Sequence, residues 1–173
     1  MVGFHANYLD KCNDFVSNGT LIVDDKDTSY LGAGMYFWSN LSQAKWWKSE
    51  KHKDRIVKAV IDIDNENRLL DLGDSEYLER LEQMFNFIRQ GYNKMARKYG
   101  LSNNIESYMG CKLNFIFDFY KQFEEQIDVV KGIYVIGDEE STFCWKTKFS
   151  KKCIEMLCVR HKDVINNRSF VNG

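Results

Sequence analysis

Long hydrophobic runs are missing from this chain. No stretch approaches the roughly 18 apolar residues of a membrane-spanning helix, so no helical span is expected. The N-terminus, MVGFHANYLDKC, has neither the apolar core nor the small-residue cleavage site of a secretory signal, and a cytoplasmic location is the expectation. The five cysteines, Cys12, Cys111, Cys144, Cys153 and Cys158, are odd in number and show no C-x-x-C spacing. A disulfide framework and a zinc knuckle are both disfavoured, no metal site is expected, and buried reduced thiols are the economical reading. Charge of one sign is also missing. A formal net charge of −1 supplies no global field for nucleic acid, although a local basic patch is compatible with it. Proline is absent altogether, and nothing functional follows from that.

What is present is aromatic. At 173 residues with 14% Phe, Trp and Tyr, the chain is long enough for one domain with a substantial core. VGFHA (2–6) reads as a strand ending on a histidine, and Asn7 is placed to cap a helix carrying Leu9, Cys12, Phe15 and Val16 on one face, closed by Gly19. LGAGMYFW (31–38) is a glycine-punctuated turn running into a strand, and Ser39 or Asn40 can cap the helix after it. RIVKAVIDID (55–64) alternates as a strand, with RLLDL (68–72) continuing the sheet. From Asp74 or Ser75, apolar residues recur at helical spacing through Tyr92, and a second stripe runs from Leu113 to Phe123. KGIYVIG (131–137) and Cys153–Val159 return to strand. The order predicts one α+β domain over 1–173, with a helical insertion at about 74–126.

Two segments at opposite ends of the chain carry the chemistry. In the first, Gly32 and Gly34 bracket one residue directly before an aromatic strand, which lets the backbone turn tightly against a flat ligand. G-x-G alone is a weak signal; the third glycine of a dinucleotide fingerprint and any Walker-type phosphate loop are absent. In the second, Glu155 enters the apolar strand EMLCV, where an unpaired buried carboxylate is costly.

Taken together, FHAN (4–7), LGAGMYFW (31–38), AKWW (44–47) and EMLCV (155–159) resemble the diphtheria-toxin-like and poly-ADP-ribose-polymerase branch of the ADP-ribosyltransferases. LGAGMYFW…AKWW is also similar to small bacterial and phage proteins of that fold. The resemblance covers about 2–62 and 131–165, and it implies a split, bent, mostly antiparallel sheet with NAD⁺ bound as a substrate and no metal. It assigns His5 to the adenosine ribose, the Ala6 backbone to the carboxamide, and Tyr36 and Trp47 to the two faces of the nicotinamide ring. Asn7, Gly32, Gly34 and Ala44 would line the same cofactor site. Glu155 would hold the nicotinamide-ribose 2′-OH and stabilise the developing cation by its charge. His5, Tyr36 and Glu155 form the implied catalytic set. The implied activity is transfer of one ADP-ribose unit to a macromolecular acceptor, protein or nucleic acid, by a toxin, phage-encoded or anti-phage effector, with an antitoxin or regulatory partner compatible with that role.

The chain departs from the family pattern at three points. Ala6 replaces the glycine after the histidine, Ala33 replaces a loop lysine, and Cys153 breaks the Glu/Gln-x-Glu pattern of arginine-modifying toxins. Glu139 and Glu140 are fallback carboxylates. Plainer readings stand beside these: His5 as a satisfied structural histidine, the aromatics as core, and Glu155 paired with Lys151 or Arg160 on an edge strand. The lysine-rich segments 47–55 and 146–152 read as solvated faces, or as a phosphate-tracking surface. An NAD⁺ glycohydrolase, a nucleic-acid- or protein-binding module, and a member of the fold that binds NAD⁺ without chemistry are the rival functions.

Overall fold

The computed structural model describes residues 1–23, 30–63, 68–99, 109–135 and 153–171. Strand β1 (Val2–Asn7) leads into helix α1 (Leu9–Asn18), which Gly19 ends in the left-handed region at φ 74°, its N–H on the Phe15 carbonyl at 3.0 Å. The cap expected from Asn7 comes instead from across the fold. Tyr8 occupies the N-cap position, and the Asp54 carboxylate accepts the Leu9 N–H at 3.0 Å. Strand β2 (Met35–Trp38) is followed by α2 (Leu41–Glu50), where Asn40 does act as the cap, accepting the Gln43 N–H at 3.0 Å.

Strand β3 (Arg55–Ile61) pairs with β1 along its whole length. Strand β4 (Leu69–Asp71) lies at a sheet edge, parallel to β5 (Val129–Val135), rather than as a simple continuation of β3. Between β4 and β5 run α3 (Ser75–Tyr99), α4 (Met109–Phe119) and α5 (Lys121–Gln126). The stripe expected as one helix from 113 to 123 is thus two, broken at Tyr120. Strand β6 (Cys153–Val159) joins β5 to β2, and β7 (Ile165–Phe170), absent from the expectation, closes the far edge against β3.

Among the described residues the result is an α+β fold with five α-helices and a seven-stranded sheet in the order β4-β5-β6-β2-β1-β3-β7, antiparallel except for β4 and β5. Strand alternation divides the core into two layers. One face carries Ala6, Trp38, Ile56, Met156 and Cys158 and packs against α2, α3 and α4 through Ala44, Phe85 and Phe117. The other carries Met35, Phe37, Val57, Leu157 and Val159 and packs against Cys12 and Phe15 of α1. Cys12 and Cys158 are buried, and Cys111 is half-buried. Among the described residues no helix is long and apolar enough to cross a membrane.

Candidate functional site

Strands β1 and β2 share a single register pair, Phe4 with Trp38. Beyond it a side chain replaces the strand ladder. His5 Nδ1–H donates to the Tyr36 carbonyl at 2.6 Å, and because a carbonyl only accepts, the proton sits on Nδ1 and Nε2 is left to accept from Asn7 Nδ2 at 3.1 Å. Burial holds this imidazole neutral, with a pKa of about 4. The Tyr36 carbonyl bond works against that shift, and the positive charge of Lys53 adds to it.

Where the two strands part lies a cavity of about 280 Å³, bordered by His5, Ala6, Asn7, Gly34, Tyr36 and Trp47. Its wall draws on both sheet faces, because β1 offers His5 and Asn7 from one and Ala6 from the other. The backbone of Ala6 is turned the right way. Ile56, its partner on β3, gives its carbonyl to Val171 on the β7 side, so the pair is not a hydrogen-bonded one, and the N–H and C=O of Ala6 point toward β2. The β1–β2 register stops two residues short of Ala6.

The turn ahead of β2 is fixed by a dense set of bonds. Gly32 takes φ 84°, a conformation open to glycine, and its carbonyl accepts the Tyr36 hydroxyl at 2.6 Å. That same hydroxyl accepts the Leu31 N–H at 3.0 Å, so the tip of the Tyr36 side chain is held by two bonds to the turn. Gly34 is needed for space, since a Cβ there would overlap Cys158 Sγ and the Val159 carbonyl. From the far end of the chain, Arg160 donates to the Ala33 carbonyl at 2.9 Å and to Glu124 at 3.0 Å, with its guanidinium 4.1 Å from the Phe117 ring centroid.

Six of the sequence-predicted residues therefore come together: His5, Ala6, Asn7, Gly34, Tyr36 and Trp47. Gly32 and Ala44 do not line the cavity; Gly32 acts through its bond to Tyr36, and Ala44 is fully buried beneath the aromatic cluster. Glu155 is placed elsewhere. On β6 it alternates with Met156, which does line the cavity, so its side chain leaves the opposite face of the sheet, the face of Phe37 and Leu157. There it is 41% exposed and pairs with Lys131 at 3.2 Å, while Arg160 pairs with Glu124 instead; Lys151 lies outside the described residues. Lys131 also meets Asp71 at 3.1 Å; burial opposes its charge, but the two carboxylates outweigh that and raise its pKa. Among the described residues no carboxylate lines the cavity. Glu139 and Glu140 lie outside the described residues.

Sequence reasoning missed Tyr30, Trp38, Lys53 and Met156, all on the cavity wall. Tyr30 stands edge-on to Tyr36 at 6.2 Å and to Trp47 at 6.5 Å, between the two rings expected to sandwich a ligand. Its position just before the glycine turn is the only signal that marks it. Trp47 is itself braced by Trp38 at 5.4 Å and Trp46 at 5.9 Å. Among the described residues no group of three or more His, Cys, Asp or Glu is placed to hold a metal.

No family model, curated protein or solved structure matches the chain. The α+β architecture stands on its own geometry, and kinship with the ADP-ribosyltransferases stands on residue resemblance alone.

Proposed function

We propose that the cavity between β1 and β2 binds the nicotinamide–ribose end of NAD⁺. The observation that carries this reading is the convergence of the Ala6 backbone edge, His5, Tyr36 and Trp47 on one cavity from three separate elements. A carboxamide needs one donor and one acceptor side by side, which the N–H and C=O of Ala6, turned toward β2 beyond the end of the β1–β2 register, would supply. A flat ring needs aromatic walls, which Tyr36, Tyr30 and Trp47 supply. The volume of about 280 Å³ sits at the low end of small-ligand pockets, roughly 300–1,000 Å³, and suits one end of the dinucleotide. His5 would reach a ribose hydroxyl through Nε2, displacing Asn7 from it.

Mono-ADP-ribosyl transfer to a macromolecular acceptor is the second reading, with NAD⁺ glycohydrolysis as its variant that uses water. It is favoured by the place of Glu155 in the chain, one residue from cavity-lining Met156 on the strand beside β2. A one-residue shift in the β6 register exchanges the faces of the two side chains. With Glu155 held at Lys131, recognition without turnover is the reading the geometry supports first.

Calorimetric titration with NAD⁺ tests the proposal. Binding is expected, with Trp47→Ala weakening it by roughly two- to tenfold, the value of one aromatic stack, and Glu155→Gln leaving it unchanged. Absence of NAD⁺ binding by the wild type overturns it. In parallel, labelled NAD⁺ incubated with the protein and a cell lysate reads out label in protein, in nucleic acid and in free ADP-ribose. Turnover that Glu155→Gln abolishes establishes the second reading over the first.

A further inference from the structure

On the flank of α2 away from that cavity lies a larger groove of about 540 Å³. Its walls carry Lys45, Lys48, His52, Lys53 and Arg55, with Asp54 the only carboxylate among the described residues. The spacing explains the alignment. Lys45 and Lys48, three residues apart, fall on one face of α2, while His52, Lys53 and Arg55 arrive from the turn after the helix and the start of β3. Four permanent cations thus face one another across a single groove in a chain whose net charge is −1.

Among the described residues no carboxylate forms an ion pair with these four cations; the ion pairs there involve Arg68, Lys121, Lys131, Arg160 and His161. Asp54 is committed elsewhere, since its carboxylate accepts the Leu9 N–H at 3.0 Å. Clustered like charges without counter-anions repel one another, and an incoming polyanion relieves the repulsion while releasing its own counterions. At the rim, Tyr8 is 49% exposed, with Lys53 Nζ 3.9 Å from its ring centroid. A cationic track beside an exposed aromatic is the arrangement that holds a single strand, phosphates on the lysines and a base on the ring. Three of the four cations are lysines, point charges able to track phosphates along a strand.

We propose that this groove binds the sugar–phosphate backbone of single-stranded nucleic acid, with Tyr8 stacking a base. The site is independent of the NAD⁺ reading, although Lys53 borders both cavities. The probe is a fluorescein-labelled 20-nucleotide oligothymidylate, titrated with the full chain by fluorescence anisotropy. With about four phosphates engaged, affinity should fall by about fiftyfold between 50 and 200 mM salt, a slope near −0.7 per phosphate. The triple variant Lys45→Gln, Lys48→Gln, Lys53→Gln should bind at least roughly tenfold more weakly, with a flattened salt slope. Tyr8→Ala should lose roughly five- to hundredfold in affinity at an unchanged slope. A control carrying the same charge change elsewhere, Lys112→Gln, Lys121→Gln, Lys162→Gln, should bind as the wild type does. Melting curves of all variants report that the fold is intact. No binding at 50 mM salt, equal loss in groove and control variants, or displacement of the oligonucleotide by a 20-residue polyglutamate as effectively as by unlabelled oligonucleotide would each overturn the proposal. Equal affinity for the duplex form, with Tyr8→Ala silent, would overturn it as well.

Discussion

His5 is bound at both ring nitrogens, and one of the two bonds requires the neutral ring: Nδ1–H donates to the Tyr36 carbonyl in either charge state, whereas Nε2 accepts from Asn7 only while unprotonated. Protonation would set Nε2–H against the Asn7 amide hydrogens. The native pKa of about 4 lies below the ordinary value of 6.5, so in between the unfolded chain takes up a proton that the native one refuses. The stability His5 contributes is therefore complete above pH 6.5 and falls with acidification, reaching a loss of about 3 kcal/mol near pH 4. Urea unfolding of wild type and His5→Gln across pH 4–7.5 checks this. The difference between the two proteins should shrink as pH drops, since glutamine cannot titrate, and a constant difference would show that His5 carries no proton linkage. The same pairing restrains the functional assignment: a ribose hydroxyl must compete with Asn7 for Nε2.

At the scale of elements, the glycine turn and β2 act as a unit. Its shape depends on close approach to β6, because a Cβ on Gly34 would meet Cys158 Sγ and the backbone carbonyl of Val159. Gly34→Ala should cost about 1–3 kcal/mol, the usual range for overpacking, measured by chemical denaturation. Adding Cys158→Ala should recover only part of that, because the Val159 carbonyl stays in place at 2.8 Å. Sequence legibility follows the same local logic. Glycine and asparagine carry conformational information in themselves, so the end of α1 at Gly19 and the start of α2 at Asn40 are readable from the chain. Long-range partners are not. Asp54 caps α1 from 45 residues away, displacing the local candidate Asn7. INNRSF lacks the apolar alternation of a buried strand, and β7 forms because β3 offers it an edge, with Asn167 turned to φ 48°. For β6 the obstacle is composition. CIEMLCV is apolar on both faces, since Ile154, Met156 and Cys158 feed one core layer and Leu157 and Val159 the other. No alternation remains to say which way Glu155 points. The cavity residues on β1, β2 and α2 are legible as a set; the carboxylate's face is not.

The whole molecule is a single sheet with a separate apolar layer on each side, and its cooperativity depends on whether the sheet couples them. Phe15 is the largest α1 side chain in one layer, and Phe117 of α4 is its counterpart in the other; both are essentially fully buried. Either Phe→Ala change should cost about 3–5 kcal/mol through lost burial and the cavity left behind. Coupling predicts more than equal cost. Strands β2, β3 and β6 each contribute residues to both layers, so loosening one layer strips the backing from the other. Both variants should therefore lower the urea midpoint at an unchanged slope, with fluorescence and circular dichroism transitions coincident. A biphasic transition in Phe117→Ala alone would mean that the helical layer over α3 and α4 unfolds as its own unit. That outcome would bear on the candidate cavity directly, because Tyr36, Trp38 and Trp47 pack against the helical layer while the His5 ring lies tilted against Phe37 in the other, centroids 5.9 Å apart. A cavity whose walls belong to both layers keeps its shape only while they unfold together. NAD⁺ affinity in Phe15→Ala and Phe117→Ala, measured where both are still folded, should accordingly fall in parallel.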